Sequence, residues 1–218
     1  MIQASTILDS VSRTLLDTAE RTWGPDEKLD YLNEAMRATA AARPADFYVI
    51  ETAVTLAAGV IQALPADGFL LIDVPRNSAT GPNPGRVVTQ VDKGLLDESD
   101  RFWPRGTQQA EVEHFTFDPR NPRRFVCFPP NDGTGVVDMV YGAVPPQIMY
   151  AAEEMQVPDI YQTPLEQFVI GKCYAKNSKR QDLAKSAAAM QAWGQALGLD
   201  SNAIGAASTK VAASPGTA

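Results

Sequence analysis

The apolar residues of this chain change their spacing twice, and that change limits the fold more than any single motif. In residues 1–44 and 161–198 they recur every three or four positions, the period of a helix buried on one side. Between them, residues 45–160 alternate in short runs, broken by most of the chain's proline, glycine and aromatic residues. Proline cannot sit inside a helix, and short alternating runs read as half-buried strands. The expected fold is therefore α+β. A helical bundle of about four helices (1–44 and 161–198) carries an inserted antiparallel β-sandwich-like region (45–160) and an extended C-terminal tail (199–218).

The first helix is expected from about Ser5 to Ala19, with Leu8, Val11, Leu15 and Ala19 on one face. The second follows Trp23-Gly24. Pro25 suits its first position, and Asp26 and Glu27 suit the positive end of its dipole. Arg43-Pro44 ends it, because a residue before proline leaves the helical region. A third helix is expected near Thr163-Pro164-Leu165-Glu166, with Thr163 as its cap and Leu165, Val169 and Cys173 as its stripe. A fourth, rich in alanine, is expected from Gln181 to Leu197. Small residues on it (Ala184, Ala187, Ala188 and Ala192) suit close approach, to a second copy or to the chain's own core.

Six strands are expected in the middle: Phe47–Leu56, Phe69–Val74, Arg86–Val91, Glu111–Phe117, Phe125–Phe128 and Val136–Tyr141. Asp118-Pro119-Arg120-Asn121-Pro122 and Asn131-Asp132-Gly133 mark turns. Residues 77–85 and 97–109 read as irregular connections, the kind of segment that carries interactions. The tail after Leu199 is made of small and polar residues and has little to bury by itself.

The chemistry available is narrow. One histidine, His114, and two cysteines, Cys127 and Cys173, cannot build a Cys/His zinc site. The cysteines read as reduced, buried thiols. No phosphate loop, dinucleotide fingerprint, nucleophile elbow or calcium loop is present. Glu111 and Glu113 would share a strand face, but a solvated face explains two such carboxylates. No enzymatic activity, cofactor or metal is expected. The longest nearly apolar stretch, Ala53 to Ile61, is far short of the ~20 residues that span a bilayer. The start of the chain also lacks the basic flank of a secretory leader, so no membrane partner is expected.

Charge is unevenly distributed. The net −7 combines 16 acidic and 8 basic residues in 45–160 with 3 acidic and 6 basic residues in 161–218. The basic cluster includes Lys172, Lys176 and Arg180; it suits either an acidic partner or a solvated helical face. Phe102 and Trp103, on an irregular connection, suit an interface, as aromatic side chains anchor contacts.

Several segments together resemble a known family. They are Trp23-Gly24-Pro25-Asp26-Glu27-Lys28-Leu29-Asp30-Tyr31-Leu32, Ala42-Arg43-Pro44-Ala45-Asp46 and Ala57-Ala58-Gly59-Val60-Ile61-Gln62-Ala63-Leu64-Pro65. Further along come Phe117-Asp118-Pro119-Arg120-Asn121-Pro122-Arg123-Arg124-Phe125, Phe128-Pro129-Pro130, Tyr141 and Pro145-Pro146. In order and spacing they resemble the head-to-tail adaptor (connector) proteins of tailed bacteriophages, over about residues 5–195.

That resemblance implies a structural virion protein, made in the host bacterial cytoplasm and placed in the virion neck. It implies a homo-oligomeric ring, usually of twelve subunits. The ring would lie between the portal protein and the tail tube, nozzle or fibre proteins, around a channel through which genomic DNA passes without sequence-specific binding. The C-terminal segment, with Leu199, Ile204 and Val211 as its apolar residues, would reach the portal. The acidic middle region would let DNA slide if it lined the channel. An alternative is a carbohydrate- or receptor-binding virion module, with Phe102 and Trp103 in the ligand site.

Overall fold

The computed structural model describes residues 2–79 and 83–199. Along the first half run β1 (Ile2–Gln3), α1 (Ala4–Thr14), α2 (Pro25–Ala42), β2 (Tyr48–Thr55), β3 (Gly59–Ala63), β4 (Gly68–Asn77) and β5 (Thr89–Gln90). Then come α3 (Lys93–Ser99), β6 (His114–Thr116), β7 (Arg124–Asn131), β8 (Val136–Ala143), β9 (Glu154–Met155), α4 (Gln162–Ala175) and α5 (Leu183–Ala196). The chain divides into two compact units. One is Met1–Arg43 with Pro145–Ala218; the other is Pro44–Val144.

In the helical unit, Pro25 opens α2, and Asp26 and Glu27 occupy its first turn. The helix buries Leu32, Ala35, Met36 and Ala40. Helix α4 is buried on more than one side: Leu165, Phe168, Val169, Ile170, Gly171, Lys172 and Cys173 are all inside. It packs against α1, α2 and α5, so it is the centre of the unit. Trp193 of α5 meets Phe168 edge-on with ring centroids 5.3 Å apart, and its indole N–H donates to Thr39 Oγ1 of α2. Strand β1 pairs antiparallel with β9, Ile2 opposite Met155.

Helix α1 stops at Thr14, short of the expected Ala19. Leu16 and Glu20 adopt left-handed backbone, with φ of 53° and 52°. The Asp17 carboxylate accepts the backbone N–H groups of Arg21 (3.1 Å), Thr22 (2.8 Å) and Trp23 (3.0 Å). An aspartate that binds nearby backbone donors in this way offers the chain an alternative to the helix.

In the β unit, one sheet has the order β2-β8-β4 and the other the order β3-β7-β6-β5. Their buried faces share one core. Leu71, Val74, Val137, Met139 and Tyr141 come from the first sheet, and Phe115, Phe125 and Cys127 from the second. Phe115 meets Phe125 edge-on at 6.4 Å. Asn131, wholly buried, holds the turn into β8. Its amide donates to the Gln109 and Ala110 carbonyls, and its carbonyl accepts the Gly133 N–H.

The expected bundle of about four helices with an inserted antiparallel β-sandwich-like region is corrected on these grounds. The described residues form five α-helices and three sheets. The fifth helix, α3, lies in the β unit, where the Asp92 carboxylate accepts the Gly94 N–H (2.6 Å) and caps it. The third sheet, β1 with β9, lies in the helical unit. The strand pairing is not wholly antiparallel either, since β5 runs parallel to β6. Strand β3 fell in a stretch noted only for its apolar character. Helix α4 begins at Gln162 behind a 3₁₀ turn at Asp159–Tyr161, with no side-chain cap, so Thr163 is not its cap.

Candidate interaction surfaces

Spacing decides how the cations of α4 are used. Lys172 and Lys176 are one turn apart on α4; Glu27, Tyr31 and Glu34 lie at one-turn intervals on α2. The two rows meet. Lys172 Nζ donates to Glu34 Oε1 (2.7 Å) and lies 5.7 Å from the Tyr31 ring centroid. Lys176 Nζ donates to Glu27 Oε2 (2.7 Å), whose other oxygen accepts the Tyr31 hydroxyl (2.9 Å). Burial, together with Glu27, holds the Tyr31 phenol well above its usual pKa. The Lys172 side chain is only 9% exposed, so its charge serves this seam.

Arg180 joins two loops. Its Nη1 lies 3.4 Å from the Leu15 carbonyl oxygen at the end of α1, where cations complement the helix dipole. Its guanidinium lies 5.8 Å from the Trp23 ring centroid. Trp23 is buried, meets Tyr174 edge-on and donates its indole N–H to the Cys173 carbonyl (2.8 Å). Nearby, Lys28 is 1% exposed and donates to Ser12 Oγ and to Glu20 Oε1 (2.6 Å). This buried cation was not singled out from the sequence. Its only signal there is a lysine one turn before Leu32, at the edge of the buried stripe.

The aromatic pair on the irregular connection is split. Trp103 is buried, donates its indole N–H to Asp97 Oδ1 (2.9 Å) and meets Phe128 edge-on at 6.0 Å. Phe102 is 70% exposed. Leu199 is half-buried; Ile204 and Val211 lie outside the described residues.

The other groups weighed from the sequence are placed as follows. Glu113 and Glu111 flank one cation, Arg86, at 3.1 and 4.0 Å. His114 stacks on Phe128 at 6.0 Å, and its Nδ1 is buried without a hydrogen-bond partner among the described residues. Asp118 Oδ1 accepts the Arg120 N–H and closes a turn. A surface cavity of about 390 Å³ has Phe117 and Val126 in its wall and Asp92 and Asp118 beside them. Cys127 and Cys173 are free, buried thiols. Burial raises both pKa values, and burial with the Glu27 carboxylate pushes Cys173 up to about 12. Among the described residues, no three His, Cys, Asp or Glu side chains converge on a metal position. No described helix is long and apolar enough to cross a membrane.

At the rim of the β2-β8-β4 sheet, the Tyr141 hydroxyl lies 2.8 Å from Glu51 Oε2 and 3.3 Å from Asp67 Oδ1. Burial and these two carboxylates raise the phenol's pKa. Neither carboxylate has a cationic partner among the described residues.

These surfaces hold charge and apolar side chains in place, as proteins of many kinds do. Comparison with protein families decides which kind. Residues 2–217 match the family model described as SU10 adaptor protein. The chain belongs to the SU10 adaptor protein family. The match covers nearly the whole adaptor, both units included, and it bears out the resemblance to phage adaptor proteins. The adaptor is thereby a phage structural protein by family. No curated protein matches it.

Proposed function

We propose that this adaptor is the ring-forming subunit of the head-to-tail connection of a tailed phage. The observation that carries the reading is the family match over residues 2–217. In this reading about twelve copies close into a ring in the virion neck. The portal lies on one side, the tail tube, nozzle or fibre proteins on the other, and the genomic DNA passes through the middle without sequence-specific contacts. The subunit is made in the host cytoplasm and performs no chemistry.

Physical features of the chain support the reading. Closed rings are built from contacts between two different patches of one subunit, so a ring subunit needs two complementary surfaces. A chain of two compact units, one with a net charge of −5 and the other of −2, is suited to present such a pair. Pro44–Val144 carries 13 Asp and Glu against 8 Lys and Arg. An acidic unit facing DNA would repel the phosphates and let them slide. In this reading Phe102, exposed in that unit, is an anchor for a neighbouring tail protein.

Imaging of the virion at subnanometre detail tests this. The expected result is a ring of this chain directly between portal and tail. Localisation of the chain to the capsid wall or to fibre tips, with no density at the neck, would overturn it.

A further inference from the structure

Two surface patches of this chain are incomplete in opposite ways. The first is on the helical unit, where Arg180 draws the α4–α5 loop onto the α1–α2 loop. Leu16, held in left-handed backbone, is 84% exposed there, and Leu183 at the start of α5 is 65% exposed. Arg13, Arg21 and Lys179 are exposed on the same two loops and at the end of α1. They form no ion pair among the described residues. The unit's own core uses Ser186, Ala189, Met190, Trp193 and Gly194 of α5, which leaves Ala184, Ala187 and Ala188 exposed beside the patch.

The second patch is the open edge of β2. The Phe47 carbonyl accepts the Ala143 N–H, and the register sets Val49 opposite Tyr141 and Glu51 opposite Met139. Antiparallel alternation then points the backbone N–H and C=O groups of Tyr48 and Ile50 away from β8. Their side chains are 54% and 61% exposed. The bulge between Glu51 and Val54 ends the regular edge after about four residues, so the site suits side-chain docking better than addition of a long strand. On the other face of the same edge stand Glu51 and Asp67, two carboxylates around one phenol with no cationic partner among the described residues. The charged residues of β2, β4, β8 and the residue before β4 are four carboxylates (Glu51, Asp67, Asp73, Asp138) and one cation, Arg76.

We propose that the two patches meet between copies of the chain: the leucine patch with its cations docks on the acidic β2 edge of the next copy. Apolar centres of opposite surrounding charge are what a steered, specific contact requires. The patches lie on different units, so the contact is heterologous, the kind that closes a ring. The inference rests on the ring reading above and names the surfaces that make the ring.

The test uses the full chain and two variants, compared by analytical ultracentrifugation at low salt. One variant carries Glu51→Lys with Asp67→Lys; the other carries Arg13→Glu with Lys179→Glu. Each alone is expected to associate roughly 100-fold more weakly than wild type, the effect of like charges across a contact. An equimolar mixture is expected to recover association, because it holds one intact pair of patches and one pair whose charges are both reversed and so again complementary. Far-UV dichroism and melting confirm that each variant is folded. Leu16→Asp and Ile50→Asp, at side chains more than half exposed, give the same comparison without touching the Tyr141 hydrogen bonds. Association unchanged in both pairs, or a mixture that stays monomeric, overturns the contact and leaves the ring reading standing. A wild-type chain that remains monomeric under all conditions, with no ring at the neck, overturns both.

Discussion

Lys28 offers a sharp test of how the helical unit is held together. Its side chain is 1% exposed, and its ammonium has two partners, Ser12 Oγ and Glu20 Oε1. Glu20→Ala removes the countercharge and leaves a buried ammonium with a single hydroxyl acceptor. Stripping one partner from a fully buried ion pair costs about 3–5 kcal/mol. The Glu20 side chain is 38% exposed, so water replaces part of the lost interaction and the expected cost falls to about 2 kcal/mol. That corresponds to a melting-point drop of roughly 6–10 °C for a unit of this size. Lys28→Met removes the charge and its desolvation together, so it is expected to lie within about 1 kcal/mol of wild type. In that background, Glu20→Ala is expected to cost less than about 0.5 kcal/mol, a coupling of about 1.5 kcal/mol or more. Urea unfolding followed by tryptophan emission measures this. Trp23 and Trp193 lie in the helical unit, and a Trp103→Phe background silences the β unit. A neutral Glu20→Ala, or one equally costly with Met at position 28, would refute the reasoning.

Four further outcomes follow from local contacts. A methyl group at Gly135 runs into the Ala110 carbonyl and the Asn131 amide, so Gly135→Ala is expected to lose about 3 kcal/mol in urea unfolding. At Gly171 the new methyl presses on the flexible Met190 side chain at 3.0 Å and meets the Ser186 carbonyl oxygen at an ordinary 3.4 Å, so Gly171→Ala should stay within about 1 kcal/mol of wild type. Burial opposes ionisation of Asp17, but its three backbone donors and Arg180 outweigh that and hold its pKa below the usual value. Its stabilising effect is therefore complete above about pH 4 and lost as pH falls further, so the melting points of wild type and Asp17→Asn should converge below pH ~4. With its pKa at about 12, Cys173 is about one part in ten thousand thiolate at pH 8. An aromatic disulfide reagent should label it only on unfolding; rapid labelling of native protein would contradict its burial.

The elements that were legible share one property: their pattern is local. Pro25 with Asp26 and Glu27 announces α2, and the stripe Leu165, Val169, Cys173 announces α4. Strands β7 and β8 announce themselves by β-rich runs between turn residues. The elements that were misjudged depend on a partner. Strands β1 and β9 are two residues long and exist only because each pairs with the other, although most of the chain lies between them in sequence. Helix α1 is periodic through Ala19, yet it stops at Thr14 and Asp17 holds the backbone N–H groups of Arg21, Thr22 and Trp23 in a turn instead. The candidate surfaces divide the same way. The exposure of Phe102 and the burial of its neighbour Trp103 cannot be told from two adjacent aromatic letters.

By itself the sequence determined the mixture of helix and strand, the scarcity of catalytic groups, the uneven charge and, through its ordered motifs, the adaptor family. Those are properties of composition, of near neighbours and of order along the chain. Only the tertiary structure decided which charges are spent. Lys172, Lys176 and Lys28 are committed to Glu34, Glu27 and Glu20, whereas Glu51 and Asp67 share a phenol and have no cation among the described residues. An ion pair forms between residues as far apart as Glu27 and Lys176, and its cost in lost solvation depends on what packs around it. No local pattern contains either quantity.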